Sequence, residues 1–462
     1  MQLTSSLHLT ACMTLSLGLA ACGGGGGGGG APAVTTYSIG GTVSGLASGE
    51  LVTLANGSDS VSLGSNTTFV FPTKVAQNGS YAVTVKTQPA AQNCTVTTGS
   101  GSGLMANVTT VAVTCSNLPQ YAYVVNNGDN TVSQFAIDDA SGTLSPLALA
   151  TVATGNSPQS VTVDPTNKYV YVTNLNDNTI SQFVIGSDGA LAPNTPATVA
   201  TGNGPWALAV SHSGAWAYVV NSADNTVSQF SVSASGTLVA TTVSPIATGG
   251  MPWNVTLSPD GKYAYVSNHG NTAPGGQTLS QYSIDATTGA LSPLNPATLT
   301  TAFPYPGGIT VDPTSSYAYL SNINGDSLSE YGIGTNGTLS SLNPASVATG
   351  REPVVLAFDP TGKYAYEANY TVDVSTVAGT VSQYAAGTAG QLTPLTPATI
   401  TAGIGPSWIA FDPFGKYAYV VNRGNGTLPG TVSAYAIGSD GTLTLLGTTA
   451  AGRRGFMIAT AY

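Results

Sequence analysis

Charge is the scarcest property of this sequence. Only 6% of its 462 residues are Asp, Glu, Lys or Arg, against about 25% in typical soluble domains. The 10 basic residues are outnumbered by 20 acidic ones, which gives a net charge of -10. So little positive charge argues against neutralisation of a nucleic-acid backbone or of an anionic lipid surface. We therefore expect no nucleic-acid partner and no polybasic membrane attachment.

Long apolar runs and cysteines are also rare. After the first twenty residues no run reaches the roughly 18 apolar residues that a membrane-spanning helix requires. Of 4 cysteines, two belong to the N-terminal segment, so the fold keeps only Cys94 and Cys115. We expect these two to pair in an oxidising compartment, which would stabilise the fold by about 3 kcal/mol. With no histidine beside them they do not indicate a metal site, and we expect no metal and no cofactor.

The N-terminus carries a targeting signal. Residues 1–21 contain a short apolar stretch and end in small residues before Cys22, which is typical of a signal peptide. Leu19-Ala20-Ala21-Cys22 resembles a bacterial lipobox, and this resemblance implies lipidation of Cys22. Gly23 in place of Asp then implies the outer membrane of a Gram-negative host, with the side it faces left open. Residues 22–34, the cysteine and a glycine run, are predicted to form a flexible tether.

Residues 35–116 are predicted to form a small β-sandwich. About seven short segments of alternating polarity are separated by Gly, Asn and Ser clusters, a pattern typical of antiparallel strands. The predicted disulfide would tie the last strand to an earlier one. The region resembles the Ig-like modules of bacterial surface proteins, and we expect a stalk, with adhesion as the alternative.

Residues 117–462 are a repeat. The segment 121–126 ends in Asn126 and returns in six further copies, which end in Asn174, Asn221, Asn268, Asn322, Asn369 and Asn422. Each copy contains four short strand-like segments, which is typical of a propeller blade. The first copy lacks its inner strand, whereas the chain ends with an extra one at 455–462. The sequence therefore predicts an all-β fold, a seven-bladed β-propeller closed by the C-terminal strand.

Two motifs link the repeat to a known family. Tyr171-Val172-Thr173-Asn174 matches the YVTN signature of bacterial surface propellers. The recurring Asp-Pro-x-Gly-Lys-Tyr-Ala-Tyr pattern resembles the lactonase-like propellers, including bacterial 6-phosphogluconolactonase. The resemblance implies a carboxylic-ester hydrolase, a lactonase acting on a sugar or phosphosugar lactone, or a cycloisomerase. Inner strands of the family often open with Pro-Arg, and here only the last one, after Arg453-Arg454, keeps arginine.

The repeat also separates structural residues from candidate functional ones. Side chains present in every blade, such as the recurring Asn and the Asp-Pro turns, are interpreted as structural. In the usual blade order, the loops that enter the inner strands and those between second and third strands share one face, here called the top face. The propeller lysines fall on the opposite, bottom face: Lys168, Lys262, Lys363 and Lys416. All arginines fall on the top face: Arg351, Arg423, Arg453 and Arg454.

The same face gathers the other pattern-breaking residues. Glu367 stands where other blades have Val, and we expect an arginine partner for it because an unpaired buried carboxylate is costly. His269 lies on one of the three long loops, those of blades four, six and seven, which are predicted to form a rim. The predicted ligand-binding residues are Arg351, Glu352, Arg423, Arg453, Arg454, Trp206, Trp253, Tyr305 and Trp408.

Three classes of function remain open. Aromatic walls with guanidinium groups favour a lipid-anchored binding protein for a small anionic or carbohydrate ligand, or for a protein partner. An enzyme would use Glu367 or His269 as base and an arginine for the developing oxyanion. Low charge and many Ser, Thr and Gly residues would also suit a structural surface protein. The alternative interpretation is purely structural: the arginines form ion pairs with Glu352, Glu367 and Asp373, and the tryptophan side chains fill the central channel.

Overall fold

The computed structural model describes residues 34–270, 277–371, 377–426 and 428–462. Its N-terminal part consists of ten short strands: β1 (Thr36–Tyr37), β2 (Ile39–Ser44), β3 (Val52–Asn56), β4 (Asp59–Leu63), β5 (Thr68–Val70), β6 (Val75–Ala76), β7 (Ser80–Thr87), β8 (Gln92–Thr97), β9 (Ser100–Ser102) and β10 (Val108–Asn117). They form one sheet of order β5-β2-β10-β8, a second of order β4-β3-β7-β9, and the pair β1-β6.

The two larger sheets enclose one apolar core. Alternate residues of both sheets point inward, among them Ile39, Leu54 and Val113, each at most 1% exposed. The prediction of an antiparallel sandwich was wrong in one pairing, because β2 and β10 run parallel. The disulfide is confirmed, and it joins Cys94 on β8 to Cys115 directly opposite on β10.

The remaining strands form seven four-stranded blades, of which the third has its outer strand in two pieces. Blade one contains β11 (Gln120–Asn126), β12 (Thr131–Ile137), β13 (Leu144–Ala153) and the C-terminal β39 (Gly455–Ala461). Blade two contains β14 (Pro158–Val163), β15 (Tyr169–Asn174), β16 (Thr179–Ile185) and β17 (Leu191–Ala200). Blade three contains β18 (Pro205–Val210), β19 (Trp216–Asn221), β20 (Thr226–Val232), β21 (Leu238–Ala240) and β22 (Ile246–Ala247). Blade four contains β23 (Pro252–Leu257), β24 (Tyr263–Asn268), β25 (Thr278–Ile284) and β26 (Leu291–Thr300).

The last three blades follow the same order. Blade five contains β27 (Pro306–Val311), β28 (Tyr317–Asn322), a 3₁₀ turn (Ile323–Gly325), β29 (Ser327–Ile333) and β30 (Leu339–Ala348). Blade six contains β31 (Pro353–Phe358), β32 (Tyr364–Asn369), β33 (Thr380–Ala386) and β34 (Leu392–Thr401). Blade seven contains β35 (Pro406–Phe411), β36 (Tyr417–Asn422), β37 (Thr431–Ile437) and β38 (Leu443–Ala450).

The C-terminal strand closes the ring as predicted. β39 pairs antiparallel with β11, so blade one is built from both ends of the propeller. Each second strand is buried on both sides because it packs between neighbouring blades, and its central tyrosine, such as Tyr123 or Tyr171, is fully buried. The blades therefore obtain their core only from one another, which explains why the ring must close.

The chain enters the propeller on the bottom face. Leu118 and Pro119 connect β10 to the start of β11, and in the other six blades the second strand starts directly after an Asp-Pro or equivalent turn. The four lysines lie in or beside these bottom turns, as predicted, and the ends of the second strands point to the top face. In the described ranges no helix is long and apolar enough to cross a membrane.

Candidate functional site

Three positions of every blade build the mouth of the central channel on the top face. They are the residue after the recurring Asn, the residue just before the inner strand, and the second residue of the inner strand. Backbone hydrogen bonds join the first two: the N–H of His269 donates to the carbonyl of Met251 (3.0 Å), and that of Arg423 to the carbonyl of Gly405 (2.9 Å). The mouth is therefore a ring of side chains on a backbone frame that repeats from blade to blade.

The position before the inner strand is left-handed in all seven blades. Its φ values lie between 50° and 67° at Ser157, Gly204, Met251, Tyr305, Glu352, Gly405 and Arg454. A non-glycine residue in this region costs about 1 kcal/mol or more. Side chains of the preceding blade offset the cost, since Asn225 Oδ1 accepts the N–H of Met251 and Asp326 Oδ1 that of Glu352. Five blades thus carry a strained side chain at the channel mouth, where glycine would suffice for the turn alone.

Aromatic rings line about half of this mouth. The ring of His269 stacks on Trp253 with centroids 5.3 Å apart and meets the edge of Tyr305 at 6.0 Å. Trp253 lies 6.5 Å from Trp206, which in turn meets Phe456 edge-on at 6.1 Å. The predicted residues Tyr305, His269, Trp253 and Trp206 are therefore brought together, in a belt that runs from blade five to blade one.

His269 is held as a neutral imidazole within this belt. Burial lowers its pKa to about 4, although a hydrogen bond to the backbone of Pro306 opposes the shift. Proline has no N–H, so the imidazole must be the donor, and Nε2 has no hydrogen-bond partner in the described structure. The bond to Pro306 therefore belongs to Nδ1–H, which leaves Nε2 as an unprotonated acceptor. The indole Nε1 of Trp206 is likewise buried without a partner.

Arg423 completes the mouth on the opposite side of Phe456. Its guanidinium carbon lies 4.9 Å from the centre of the Phe456 ring and 5.4 Å from that of Tyr370. Burial lowers its pKa, and the like charge of Arg454 lowers it further. Within the described residues no carboxylate forms an ion pair with Arg423. A desolvated cation without a counterion is a candidate for binding an anion.

Arg454 lies across the boundary between blades one and seven. The guanidinium group of Arg454 reaches the blade seven loop at Gly426. A methyl group added at Gly426 would lie 3.6 Å from both the Nε and the Nη2 atoms of Arg454. The described residues provide Arg454 with no ion-pair partner either. Arg423 and Arg454 are thus two guanidinium groups from adjacent blades that form no ion pair with a described carboxylate.

Arg453 has a structural role. Its Nε donates to Asp129 at 2.7 Å and its backbone N–H to the same carboxylate at 2.6 Å. Asn156 makes the same pair of bonds to Asp177 in blade two, and so does Asn203 to Asp224 in blade three. Arg453 therefore occupies a repeating bracing position, and we do not assign it to the ligand site.

Arg351 and Glu352 enter blade six on the top face. Arg351 occupies the same bracing position as Arg453 and is exposed, whereas Glu352 is the left-handed residue of its blade and is half-buried. Both make an interaction besides those described here. The Asp373 proposed as an arginine partner lies outside the described residues, as do parts of the three loops of the predicted rim.

Glu367 lies away from the mouth, in the core between blades five and six. None of its surface is exposed, and its carboxyl accepts hydrogen bonds from Ser321 Oγ, at 3.0 and 3.1 Å, and from the amides of Val354 and Val355. The prediction of an arginine partner was wrong, because this hydroxyl and these amides take its place. Burial raises the pKa of Glu367 well above its usual range. We therefore do not assign Glu367 the role of catalytic base.

Tryptophan side chains close the channel below the mouth. Trp206, Trp253, Trp408 and Phe456 surround a small enclosed space, and a cavity of about 320 Å³ lies below it between the inner strands. Trp408 borders both spaces, so it lies deeper than the other predicted aromatic residues. The channel is therefore a shallow mouth above a plug, and a ligand from the top face would rest on the aromatic belt.

Repeat logic explains which site residues were missed. The recurring Asn residues are structural: Asn126 and Asn174, for example, donate to Thr and Ser hydroxyls of the third strand. The residue that follows them differs in every blade, in the order Asn127, Leu175, Ser222, His269, Ile323, Tyr370 and Arg423. This variability at a fixed place on the frame was the signal that could have identified Tyr370. Phe456 could have been found as the counterpart of Trp206 and Trp253 in the closing strand.

The chain matches the family model described as lactonase, seven-bladed β-propeller. The matched segments are 80–194, 154–304, 271–406 and 374–461, which together span more than half of the chain. The protein therefore belongs to the lactonase family of seven-bladed β-propellers. No curated protein matches it in sequence.

Solved structures agree with the fold. A putative 6-phosphogluconolactonase from Bacteroides fragilis superposes with a TM-score of 0.62 at 20% identity, covering 75% of this chain and 98% of that one. The periplasmic gluconolactonase of Pseudomonas aeruginosa gives 0.58 at 18% identity, covering 74% and 99%. A functionally unknown protein from Desulfotomaculum acetoxidans gives 0.59 at 15% identity, covering 74% and 99%. At these identities the likeness concerns the fold.

Proposed function

We propose that the top-face mouth binds a small polyhydroxylated anion, such as a sugar acid or the lactone of a phosphosugar acid. The observation that supports this most directly is Arg423, a half-buried guanidinium between two aromatic rings with no carboxylate pair in the described ranges. Burying a cation without a counterion is unfavourable, and a carboxylate or phosphate would remove the penalty through charge-assisted hydrogen bonds. The neighbouring Arg454 adds a second positive group on the same side.

The aromatic belt supplies the complementary part of the proposed site. Trp253 and Trp206 present apolar faces on which the C–H side of a sugar ring can lie, and Tyr305 is 43% exposed at the edge. The Nε2 of His269 and the Nε1–H of Trp206 are buried without a partner, so a ligand reaches them only if the side chains over them move. A polyhydroxylated ligand that moves them would pair with both, whereas a purely apolar anion would leave them unpaired.

Lactone hydrolysis is the second candidate, and His269 favours it. In this proposal the side chains over the buried Nε2 move aside, Nε2 takes a proton from water, and the water oxygen attacks the lactone carbonyl carbon. An arginine stabilises the oxyanion, the ring C–O bond breaks, and the leaving alkoxide takes the proton from the imidazolium. Membership of the lactonase family supports this reaction class, and the hydrogen bond to Pro306 supports the required tautomer.

We also propose an envelope location. A lipid on Cys22 with the tether 22–34 would attach the protein to a membrane through its N-terminus. The chain reaches the propeller through Leu118 and Pro119 on the bottom face. This connection supports presentation of the top face, with its mouth, on the side away from the attachment.

The experiment compares the wild type with Arg423→Gln and, as a matched control, Arg453→Gln. Calorimetry with gluconate and 6-phosphogluconate measures binding, and proton release from the corresponding lactones measures hydrolysis. We expect binding that falls at least tenfold in Arg423→Gln and little in Arg453→Gln, since Arg453 is braced by Asp129. Binding of the sugar acids without hydrolysis of their lactones would indicate a binding protein and not a lactonase. No binding of any probe would refute the proposed ligand class and leave a protein partner or surface assembly.

A further inference from the structure

Neighbouring blades are joined by a repeating tyrosine hydrogen bond. In six of the seven blades the hydroxyl of the central tyrosine of the second strand donates to a glycine carbonyl of the next blade, as Tyr123 does to Gly189 and Tyr366 to Gly441. Six of the seven junctions have this bond at 2.7 Å. A buried hydroxyl with its partner stabilises a junction by about fivefold in its opening equilibrium.

A second side chain joins the same six junctions. A buried Gln of the third strand, or Glu330 in blade five, accepts the backbone N–H of a leucine in the next blade, for example Gln134 from Leu191 (2.6 Å) and Gln383 from Leu443 (2.7 Å). Each of these junctions is therefore fastened twice between side chain and backbone.

The junction between blades seven and one lacks both fastenings. The hydroxyl of Tyr419 is buried without a hydrogen-bond partner in the described structure. Ala434 occupies the place of the Gln and has no group to accept from Leu144. The inner strands keep two bonds across this junction, from Ser407 Oγ and from Thr460 Oγ1. Nearer the surface, blade seven is joined to blade one by Tyr417, Thr449 and the ion pair of Lys416 with Asp139. It is also where the C-terminal strand β39 completes blade one without a covalent link to β11.

The two unpaired arginines lie on either side of this same junction. Arg423 belongs to blade seven and contacts Phe456 of blade one, whereas Arg454 belongs to blade one and lies against Gly426 of blade seven. Their like charges repel each other across the junction that lacks both repeating bonds. An oxyanion held by both would turn this repulsion into attraction on both sides.

We propose that the anion bound by Arg423 and Arg454 bridges blades seven and one, so that ligand binding locks the closure of the propeller ring. This inference rests on the proposed function, and it adds a regulatory consequence: the unliganded ring opens first between blades seven and one. The bridging group is an oxyanion with at least two accepting oxygens, either a phosphate or a carboxylate.

Amide hydrogen exchange of the full protein tests the proposal, with inorganic phosphate and 6-phosphogluconate as probes and calorimetry of the same samples. In the free protein we expect β39 and β11 to exchange faster than the equivalent strands of other blades. Ala434→Gln should slow this exchange about fivefold. Saturating probe should slow it in the wild type and have less effect in Arg454→Gln.

Gln229→Ala is the matched control, because it removes one fastening between blades three and four, away from the arginines. It should speed exchange in β26, and the probe should not reverse this. Two outcomes would overturn the inference: a probe that binds without protecting β39, or a free protein whose β39 exchanges no faster than other inner strands. Absence of calorimetric binding would instead refute the proposed ligand class, while the Ala434→Gln comparison still tests the weak junction.

Discussion

Glu330→Gln should stabilise the propeller in a pH-dependent manner. In five blades the equivalent Gln accepts a leucine N–H and also donates from Nε2 to an outer-strand carbonyl at 2.8 to 3.2 Å. Glu330 accepts from Leu392 at 2.7 Å but, when ionised, has no proton for the second bond. Burial raises the pKa of Glu330, as expected for a carboxyl that is 1% exposed.

The direction of the pH dependence follows from the raised pKa of Glu330. A carboxyl whose folded pKa lies above its unfolded value contributes its stability below the unfolded pKa, near 4.3, and loses it as the pH rises through the folded pKa. The glutamine makes both bonds at every pH. We therefore expect a gain of about 1–2 kcal/mol at pH 8 and nearly none at pH 4, from one regained hydrogen bond and one removed buried charge.

Urea unfolding of both proteins at pH 4 and pH 8 measures the difference, and the other buried carboxyls cancel because both proteins contain them. Gln281→Glu, the reverse exchange at the preceding junction, should lose the same amount with the same pH dependence. An equal gain at both pH values, or a destabilised Glu330→Gln, would refute the reasoning.

Four further outcomes are expected. Met251→Gly should raise the unfolding free energy by about 1 kcal/mol, measured in urea, because φ is 50° at this position; an unchanged value would mean the turn is not strained. His269→Gln should abolish any lactone hydrolysis. The rate of wild-type hydrolysis should be constant from pH 6 to 8 and decrease near pH 4, where the imidazole of pKa about 4 gains its proton. A rate that already decreases steadily as the pH is lowered from 7 to 6 would exclude His269 as the base. Reduction of the Cys94–Cys115 bond should destabilise the N-terminal sandwich by about 3 kcal/mol, seen as an earlier unfolding transition that Cys94→Ser reproduces. Arg423→Gln should weaken anion binding without lowering stability, since no described carboxylate would lose a partner. Arg453→Gln should lower stability, because Asp129 loses a hydrogen bond, and should leave anion binding unchanged.

Periodicity carried most of the fold prediction. Seven copies of a strand ending in Asn, and a spare strand at the C-terminus, require a closed ring because each blade face is apolar on both sides. The N-terminal sandwich was predicted less accurately, since nothing in its short alternating segments distinguishes the parallel pairing of β2 with β10 from an antiparallel one. Register between distant strands is set by packing, which a single sequence does not display.

The candidate site was predicted only in part, because contacts between blades also depend on packing that a single sequence does not display. Topology placed Trp206, Trp253, Tyr305, His269 and the arginines on one face, and the structure brings several of them into contact. Glu367 was misjudged because its burial between two blades and its bonds to Ser321 depend on the neighbouring blade, 46 residues away in sequence. Sequence could show that a carboxyl breaks the pattern, but only the packed blades show whether it faces a channel or a core.

The arginines show how a repeat distinguishes a brace from a binding group. Arg453 makes two hydrogen bonds to Asp129, just as Asn156 and Asn203 each make two hydrogen bonds to the equivalent aspartate of their own blade. The guanidinium group of Arg453 therefore takes the structural role that a side-chain amide has in those blades. Arg423 stands where the other six blades have Asn, Leu, Ser, His, Ile and Tyr, so this position has no recurring structural side chain. In a chain with 6% charged residues, Arg423 is a half-buried cation that contacts the rings of Tyr370 and Phe456 and has no described carboxylate to compensate the burial of its charge. An anionic ligand is the partner that would offset this cost, and for that reason Arg423 is the first residue to substitute.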